Sequence, residues 1–319
     1  MFEFINYLKL IATALITNSH FGKIWPIGAL ATGGLLGNVI FFSVSGFLLY
    51  NIKSNFVKWF SKRFFRVYPA LLIFTLFTVL IGEYPLKSLN DAFKLFIYPT
   101  NYIFLVWLLV CYCIFYFVVF LDKKISNFLE IIMAVILCVW ILVYVICYDK
   151  SAYRVDNVSE PFILFLYIES MLIGAFFKKQ RTDFTKFKVS KIFITIVCLV
   201  AYFASKVIFS RVETVVQLQI VNQFVILLTL FSVFDLFMSL EHVFKNIPEK
   251  LNCFVRHISN ITLQIYVVQF VLIRYCEKLL FPLNLIAVTL AIIFVATLLY
   301  YIEQSIKKLI EFIRVKARK

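Results

Sequence analysis

Acidic side chains are scarce in this sequence: Asp and Glu number 17 in 319 residues against 32 Lys and Arg, and charged residues together make up 15%. A water-soluble globule carries about a quarter charged residues and an apolar share near one half. Here the hydrophobic share is 63% and the mean hydropathy +0.94, which excludes that class. Zinc-like and disulfide-framework spacings are also absent. The seven cysteines, at 111, 113, 138, 147, 198, 253 and 276, lie mostly inside apolar runs and read as small hydrophobes, so no metal site is expected. No internal repeat, low-complexity tract or linker divides the chain, and 1–319 reads as one transmembrane domain. The apolar runs lack a ten-residue dyad pattern, which leaves helices rather than a barrel. The N-terminus has Glu3, no basic n-region and no small-residue cleavage site before His20, so a cleaved signal peptide is not expected.

What the chain has instead is room for roughly ten helices of about 20 residues. The expected fold class is therefore an all-α integral membrane bundle of about ten transmembrane helices. Apolar runs bounded by charge or turn residues place them at 4–21, 35–50, 67–82, 95–121, 128–148, 161–177, 191–210, 215–239, 258–276 and 283–302. In a soluble protein a net charge of +15 would suggest nucleic acid, but its distribution here follows a membrane. With the N-terminus in the cytosol, 23 of the 32 basic residues fall inside and nine outside, which puts both termini in the cytosol. The outer loops are short, the longest being 22–34, 83–94 and 149–160, so an outer substrate is met mostly by helix ends. Residues 303–319 read as an amphipathic basic tail on the anionic lipid of the inner leaflet.

Polar residues inside these runs mark candidate sites. Asn6, Lys9, Thr13, Thr17 and His20 recur at helical spacing in the first span. Lys9 and His20, eleven residues apart, point within about 20° of each other and lie roughly 16 Å apart along the axis. Two roles fit them: a functional stripe, or Lys9 reaching back to the inner interface while His20 ends the helix. Arg63 and Arg66 share a helix face, with Lys62 alongside, and suit a polyphosphate or serve as stop-transfer charges. Pro69 is expected to fix the start of the third span directly after them. Asn38 and Ser45 share a face of the second span, where Ser45-Gly46 favours close packing or lines a tunnel. Glu169, central in the sixth span, needs a partner: it is either neutral and hydrogen-bonded or paired with Lys9. In the ninth span Thr262, Tyr266 and Gln269 form another polar stripe, suited to hydrogen bonds between helices or to substrate.

One stretch ties these residues to a known family. Gly37-Asn38, Phe41-Phe42, Ser45-Gly46-Phe47, Lys62-Arg63, Arg66 and Tyr68-Pro69 resemble the FFxxSGF and RxxRxxP signature of the membrane acyltransferase-3 family. Its members transfer acyl groups, mostly acetyl, to extracytoplasmic carbohydrates. Asn6, Lys9 and His20 fall where the family usually shows Asp, Arg and His. Trp107, Tyr112, Glu169, Gly174 and the Thr262-Leu263-Gln264-Ile265-Tyr266 run with Gln269 match more weakly.

The resemblance implies an integral membrane O-acyltransferase of a bacterial inner or plasma membrane. It would take acetyl from acetyl-CoA, or another acyl-CoA, in the cytosol and pass it to a hydroxyl of a surface polysaccharide or lipid-linked saccharide. Lys9, Arg63 and Arg66 would bind the donor, with Lys9 acting through charge alone because the bidentate fork of Arg is lost. His20 would act as general base or carry the acyl group covalently. Asn6, Asn38, Ser45, Glu169, Tyr266 and Gln269 would line or support the path. The acyl-CoA is a co-substrate, no cofactor is permanently bound, and polysaccharide-assembly proteins are possible partners. A polysaccharide or lipid transporter or flippase is the alternative, opposed by the absence of a half-repeat and of a Gly/Pro-broken helix pair. An inactive scaffold is a third reading.

Overall fold

The computed structural model describes residues 2–97, 99, 102–180 and 184–316. Among them the regular structure is helical, with no strand. The chain begins with α1 (Glu3–Ser19), α2 (Gly34–Leu49), α3 (Phe56–Leu80) and a short α4 (Leu89–Ala92) that runs into a π turn at Phe93–Ile97. Then come α5 (Ile103–Asp122), α6 (Phe128–Cys147), α7 (Ile163–Lys179), α8 (Val189–Arg211) and α9 (Ile220–Ser239). The chain closes with α10 (Glu241–Lys245), α11 (Glu249–Asn260), α12 (Thr262–Cys276) and α13 (Leu283–Lys316).

Seven stretches among the described residues are long and apolar enough to cross a membrane: Gly28–Leu49, α3, α5, α6, α8, α9 and Leu283–Ile313 of α13. The pair α11 and α12, bent by 70° at its break, makes an eighth if counted as one broken span. α1 and α7, each 17 residues, are shorter and largely buried inside the bundle. Peripheral helices present apolar side chains outward, as lipid demands: only 17% of the α6 span is buried, against 67% of the span containing α2.

α2 sits at the centre because its small residues allow two neighbours to touch its backbone. A Cβ at Gly46 would overlap the Met171 carbonyl of α7, and one at Gly174 would overlap the Ser43 carbonyl of α2. On its other side Gly37 meets Ala12 and Ile16 of α1. Gly37 and Gly46 are nine residues apart, about 180° around a helix, so α1 and α7 occupy opposite faces of α2.

One end of each of α2, α5, α6 and α7 is tied to the others at Asp122. Its carboxylate accepts from Tyr50 Oη at 2.7 Å, Lys179 Nζ at 3.0 Å and the Leu129 amide at 2.9 Å, while Lys179 also reaches Glu130 at 2.9 Å. The start of α1 is held by Glu241, whose carboxylate accepts from the Phe4 amide at 2.8 Å.

Several expected boundaries move. The third span does not begin at 67: α3 starts at Phe56, where Asn55 Oδ1 accepts from the Lys58 amide at 3.1 Å, and Pro69 lies in the helix interior. Arg63 and Arg66 therefore stand on α3 itself, on the helix face that their spacing predicts. The fourth span starts at Ile103 and the eighth at Ile220, each preceded by a tighter or wider turn. The ninth breaks between Asn260 and Thr262. Residues 303–316 continue α13 without interruption. Arg181, Arg318 and Lys319, three of the basic residues assigned to the inner side, lie outside the described residues.

Candidate active site

Two cavities enter the bundle from opposite ends and meet at a constriction. The one on the side expected to be cytosolic, the inner cavity, about 470 Å³, is bounded by α1, α2, α3, α5, α12 and α13 and includes Lys9, Ser45, Lys62, Arg63, Arg66 and Lys307. The outer one, about 870 Å³, holds His20, Asn38, Trp107, Asp156, Tyr167 and Lys206 on its walls. Between them a void of about 20 Å³ is lined by Thr13, Thr17, Phe41, Phe104, Tyr266 and Gln269. It shares Phe41, Thr262 and Leu263 with the inner cavity and Ile16, Phe104 and Tyr266 with the outer one. That volume is close to what one water molecule occupies.

The inner cavity is built for an anion. Arg63 and Arg66 face it from the first half of α3. The Arg63 guanidinium lies 4.7 Å from the centre of the Trp59 ring and donates to the Trp59 carbonyl at 3.4 Å. Lys9 approaches from α1, where Thr13 Oγ1 closes a 2.7 Å bond to its carbonyl. Among the described residues no carboxylate lies within 4.0 Å of Lys9, Lys62, Arg63 or Arg66. The one acid on this wall, Glu303, is occupied by Lys307 and by Gln264 Nε2, the latter at 2.8 Å. Five cations against one paired carboxylate leave a positive chamber that attracts phosphate.

His20 lies directly after α1, exposed to the outer cavity, with its ring edge-on to Phe270 at 4.6 Å. Asn18 fixes the chain beyond it by donating to the carbonyls of Leu30 and Thr32 and accepting from Trp25 Nε1 at 2.9 Å. The roof is the loop carrying Asp156. The Asp156 carboxylate accepts from Thr32 Oγ1 and the Gly33 amide, both at 2.8 Å, and from Lys206 Nζ at 2.6 Å. Burial raises the affinity of this carboxyl for its proton, but Lys206 and the bonds from Thr32 and Gly33 outweigh it and hold Asp156 below the usual carboxylate range.

Of the residues singled out in the sequence, Lys9, Ser45, Arg63 and Arg66 gather in the inner cavity, His20 and Asn38 in the outer, and Tyr266 and Gln269 at the constriction. Asn38 and Ser45 do share one face of α2, about 10 Å apart along it, and that face walls both cavities. Two residues line none of the three voids. Asn6 is a strut: it donates to Glu3 at 3.0 Å and accepts from Ser259 at 2.9 Å. Glu169 is buried in α7, its Oε1 without a partner, and the expected pairing with Lys9 is not made. The reason is α2, which stands between the helices that carry them.

Sequence reasoning passed over Asp156, Lys206, Tyr167 and Glu303. Asp156 sits in a loop, where no periodicity marks it, and Glu303 was assigned to the tail.

The family model described as an acyltransferase domain matches residues 2–302, nearly the whole chain. The chain belongs to the acyltransferase-3 family. No curated protein and no solved structure matches it. As a membrane acyltransferase of this family, it places its FFxxSGF and RxxR residues on one continuous path: Phe41, Ser45, Arg63 and Arg66 all line the inner cavity. Glu303 and Lys307, on the same wall, lie just beyond the matched residues.

Proposed function

We propose that this membrane acyltransferase takes an acetyl or other acyl group from acyl-CoA on the cytosolic side and transfers it to a hydroxyl of an extracytoplasmic polysaccharide or lipid-linked saccharide. The observation that carries the reading is the pair of opposed cavities: a cationic chamber with no free carboxylate at one end, His20 at the other, and between them a void of about 20 Å³ that shares lining residues with both. Phosphates of the donor sit against Arg63, Arg66, Lys62 and Lys9. The flexible arm of the thioester threads the constriction past Gln269 and Tyr266, and the acyl carbon arrives beside His20. His20 takes the proton of the acceptor hydroxyl as that oxygen attacks the thioester carbonyl. The thiolate then leaves toward the inner side.

In this reading the bundle crosses a bacterial plasma membrane about ten times, with α1 and α7 as short spans and both termini cytosolic. A void of about 20 Å³ opposes passage of a sugar ring, which supports transfer over transport. The test is twofold. Purified protein should consume acetyl-CoA in the presence of acceptor glycan, and mass or NMR analysis of surface glycans from cells with and without the gene should show an acyl group disappearing. Unchanged glycans together with no acetyl-CoA consumption would overturn the proposal.

A further inference from the structure

The break between α11 and α12 turns the start of α12 into the path, so that Ser259, Asn260, Thr262, Leu263 and Gln264 all meet the inner cavity. Two glutamines on α12 each keep one polar atom without a partner there. Gln264 is 4% exposed, and its Nε2 donates to Glu303 Oε2 at 2.8 Å. A carboxylate accepts only, so this bond fixes which end of the amide is which. Lys307 holds the other Glu303 oxygen. Gln264 Oε1 is thereby oriented, buried and unpaired. Gln269, fully buried, accepts from Thr17 Oγ1 at 2.9 Å, and its Nε2 is unpaired at the constriction. The two glutamines are five residues apart, about 7.5 Å along α12.

A buried polar atom without a partner is costly unless a ligand or water meets it. Phosphate oxygens accept hydrogen bonds, so they satisfy the cations of this cavity but not Gln264 Oε1. That atom calls for a ligand N–H or O–H, and Gln269 Nε2 calls for a carbonyl. A chain carrying secondary amides offers both groups in series.

We propose that Gln264 and Gln269 recognise the amide groups of the donor's pantetheine arm, Gln264 Oε1 accepting from an amide N–H and Gln269 Nε2 donating to a carbonyl oxygen. The inference rests on the acyl-CoA reading and assigns the arm, rather than the phosphates, to α12. Lys307 and Glu303 are positioning residues, fixing which end of the Gln264 amide is the acceptor.

The experiment is calorimetric binding of free CoA, and of adenosine bisphosphate, which lacks the arm, to the full-length detergent-purified protein. Wild type is compared with Gln264→Leu, Gln269→Leu and Gln223→Leu. Gln223 is the control: it is also buried with an unpaired Oε1, but lines none of the three voids. The expected result is a loss of about tenfold in CoA affinity for each α12 variant, unchanged affinity for the bisphosphate, and no change in either for Gln223→Leu. Gln264→Met, closer in shape, replaces Gln264→Leu if the thermal transition shows that leucine costs folding. Unchanged CoA affinity, or equal losses for both ligands, overturns the assignment and leaves the donor reading standing. Wild-type protein that binds neither ligand overturns both.

Discussion

The Arg63 guanidinium rests 4.7 Å from the centre of the Trp59 ring, one turn back along α3. The indole keeps the side chain extended toward the cavity, and guanidinium contacts with aromatic faces contribute about 0.5–1 kcal/mol at partly exposed sites. Trp59→Leu should weaken CoA binding about threefold. Arg63→Lys or Arg66→Lys should weaken it about tenfold, because charge is kept and the bidentate fork is lost. Calorimetry on membrane-inserted protein checks this, and equal donor affinity in the Lys variants would return both arginines to a stop-transfer role.

His20→Ala should lower acyl transfer by about 100-fold or more, within the range of a positioned base. His20→Gln should do little better, since an amide keeps hydrogen bonding and loses basicity. Affinity for the donor should hold in both, because Arg63 and Arg66, proposed to hold its phosphates, line the opposite cavity. Near wild-type acetylation by His20→Gln would mean that the base lies elsewhere.

Asp156→Asn removes the partner of Lys206, whose side chain is 5% exposed, and should destabilise the protein by about 3 kcal/mol. A depressed folded-state carboxyl contributes stability that is complete above its unfolded value of about 3.9 and is lost as pH falls through the folded value. Wild-type thermal stability should therefore decline more steeply below pH 4 than that of Asp156→Asn. Parallel melting profiles would remove the ion pair from the account of the outer loop.

Gly174→Ala drives a Cβ into the Ser43 carbonyl at the tightest helix crossing in the bundle. Backbone cannot step aside as a side chain can, so a loss of about 2 kcal/mol or more is expected. Thermal unfolding in detergent measures it, and a neutral substitution would mean that α2 and α7 separate more easily than their contact suggests.

Native cysteines report the topology. In the proposed topology Cys147, exposed at the end of α6, falls on the outer side, and Cys253, exposed on α11, on the inner side. In single-cysteine variants an impermeant maleimide should tag Cys147 in intact cells and Cys253 only after permeabilisation. The reverse pattern would invert the whole arrangement.

How much of this was legible before the structure depends on what periodicity can report. Lys9 and His20, or Asn38 and Ser45, share helix faces by spacing alone, and those faces do become cavity walls. Spacing says nothing about what lies across from a face. Asn6 falls on the same stripe as Lys9, yet Ser259 of α11 closes over it. Glu169 and Lys9 are complementary on paper, but Gly37 and Gly46 recruit their helices to opposite sides of α2. Pro69 reads as a boundary because proline removes a helix donor, but a membrane helix absorbs that loss among its neighbours. Asp156 was hidden for a simpler reason: a loop residue has no period.

The constriction near Gln269 has an electrical consequence. If its two chambers open to opposite sides of an energised bilayer, as the proposed function requires, the protein sits across a voltage worth about 2.3 kcal/mol per elementary charge at 100 mV. Any continuous file of water through it would leak protons and discharge the cell. With Phe41, Phe104 and Tyr266 crowding a void of about 20 Å³, the junction acts as an insulator. In the proposed function the same ring of aromatics would part for a slender thioester arm and close between turnovers, holding the two aqueous compartments at their separate potentials.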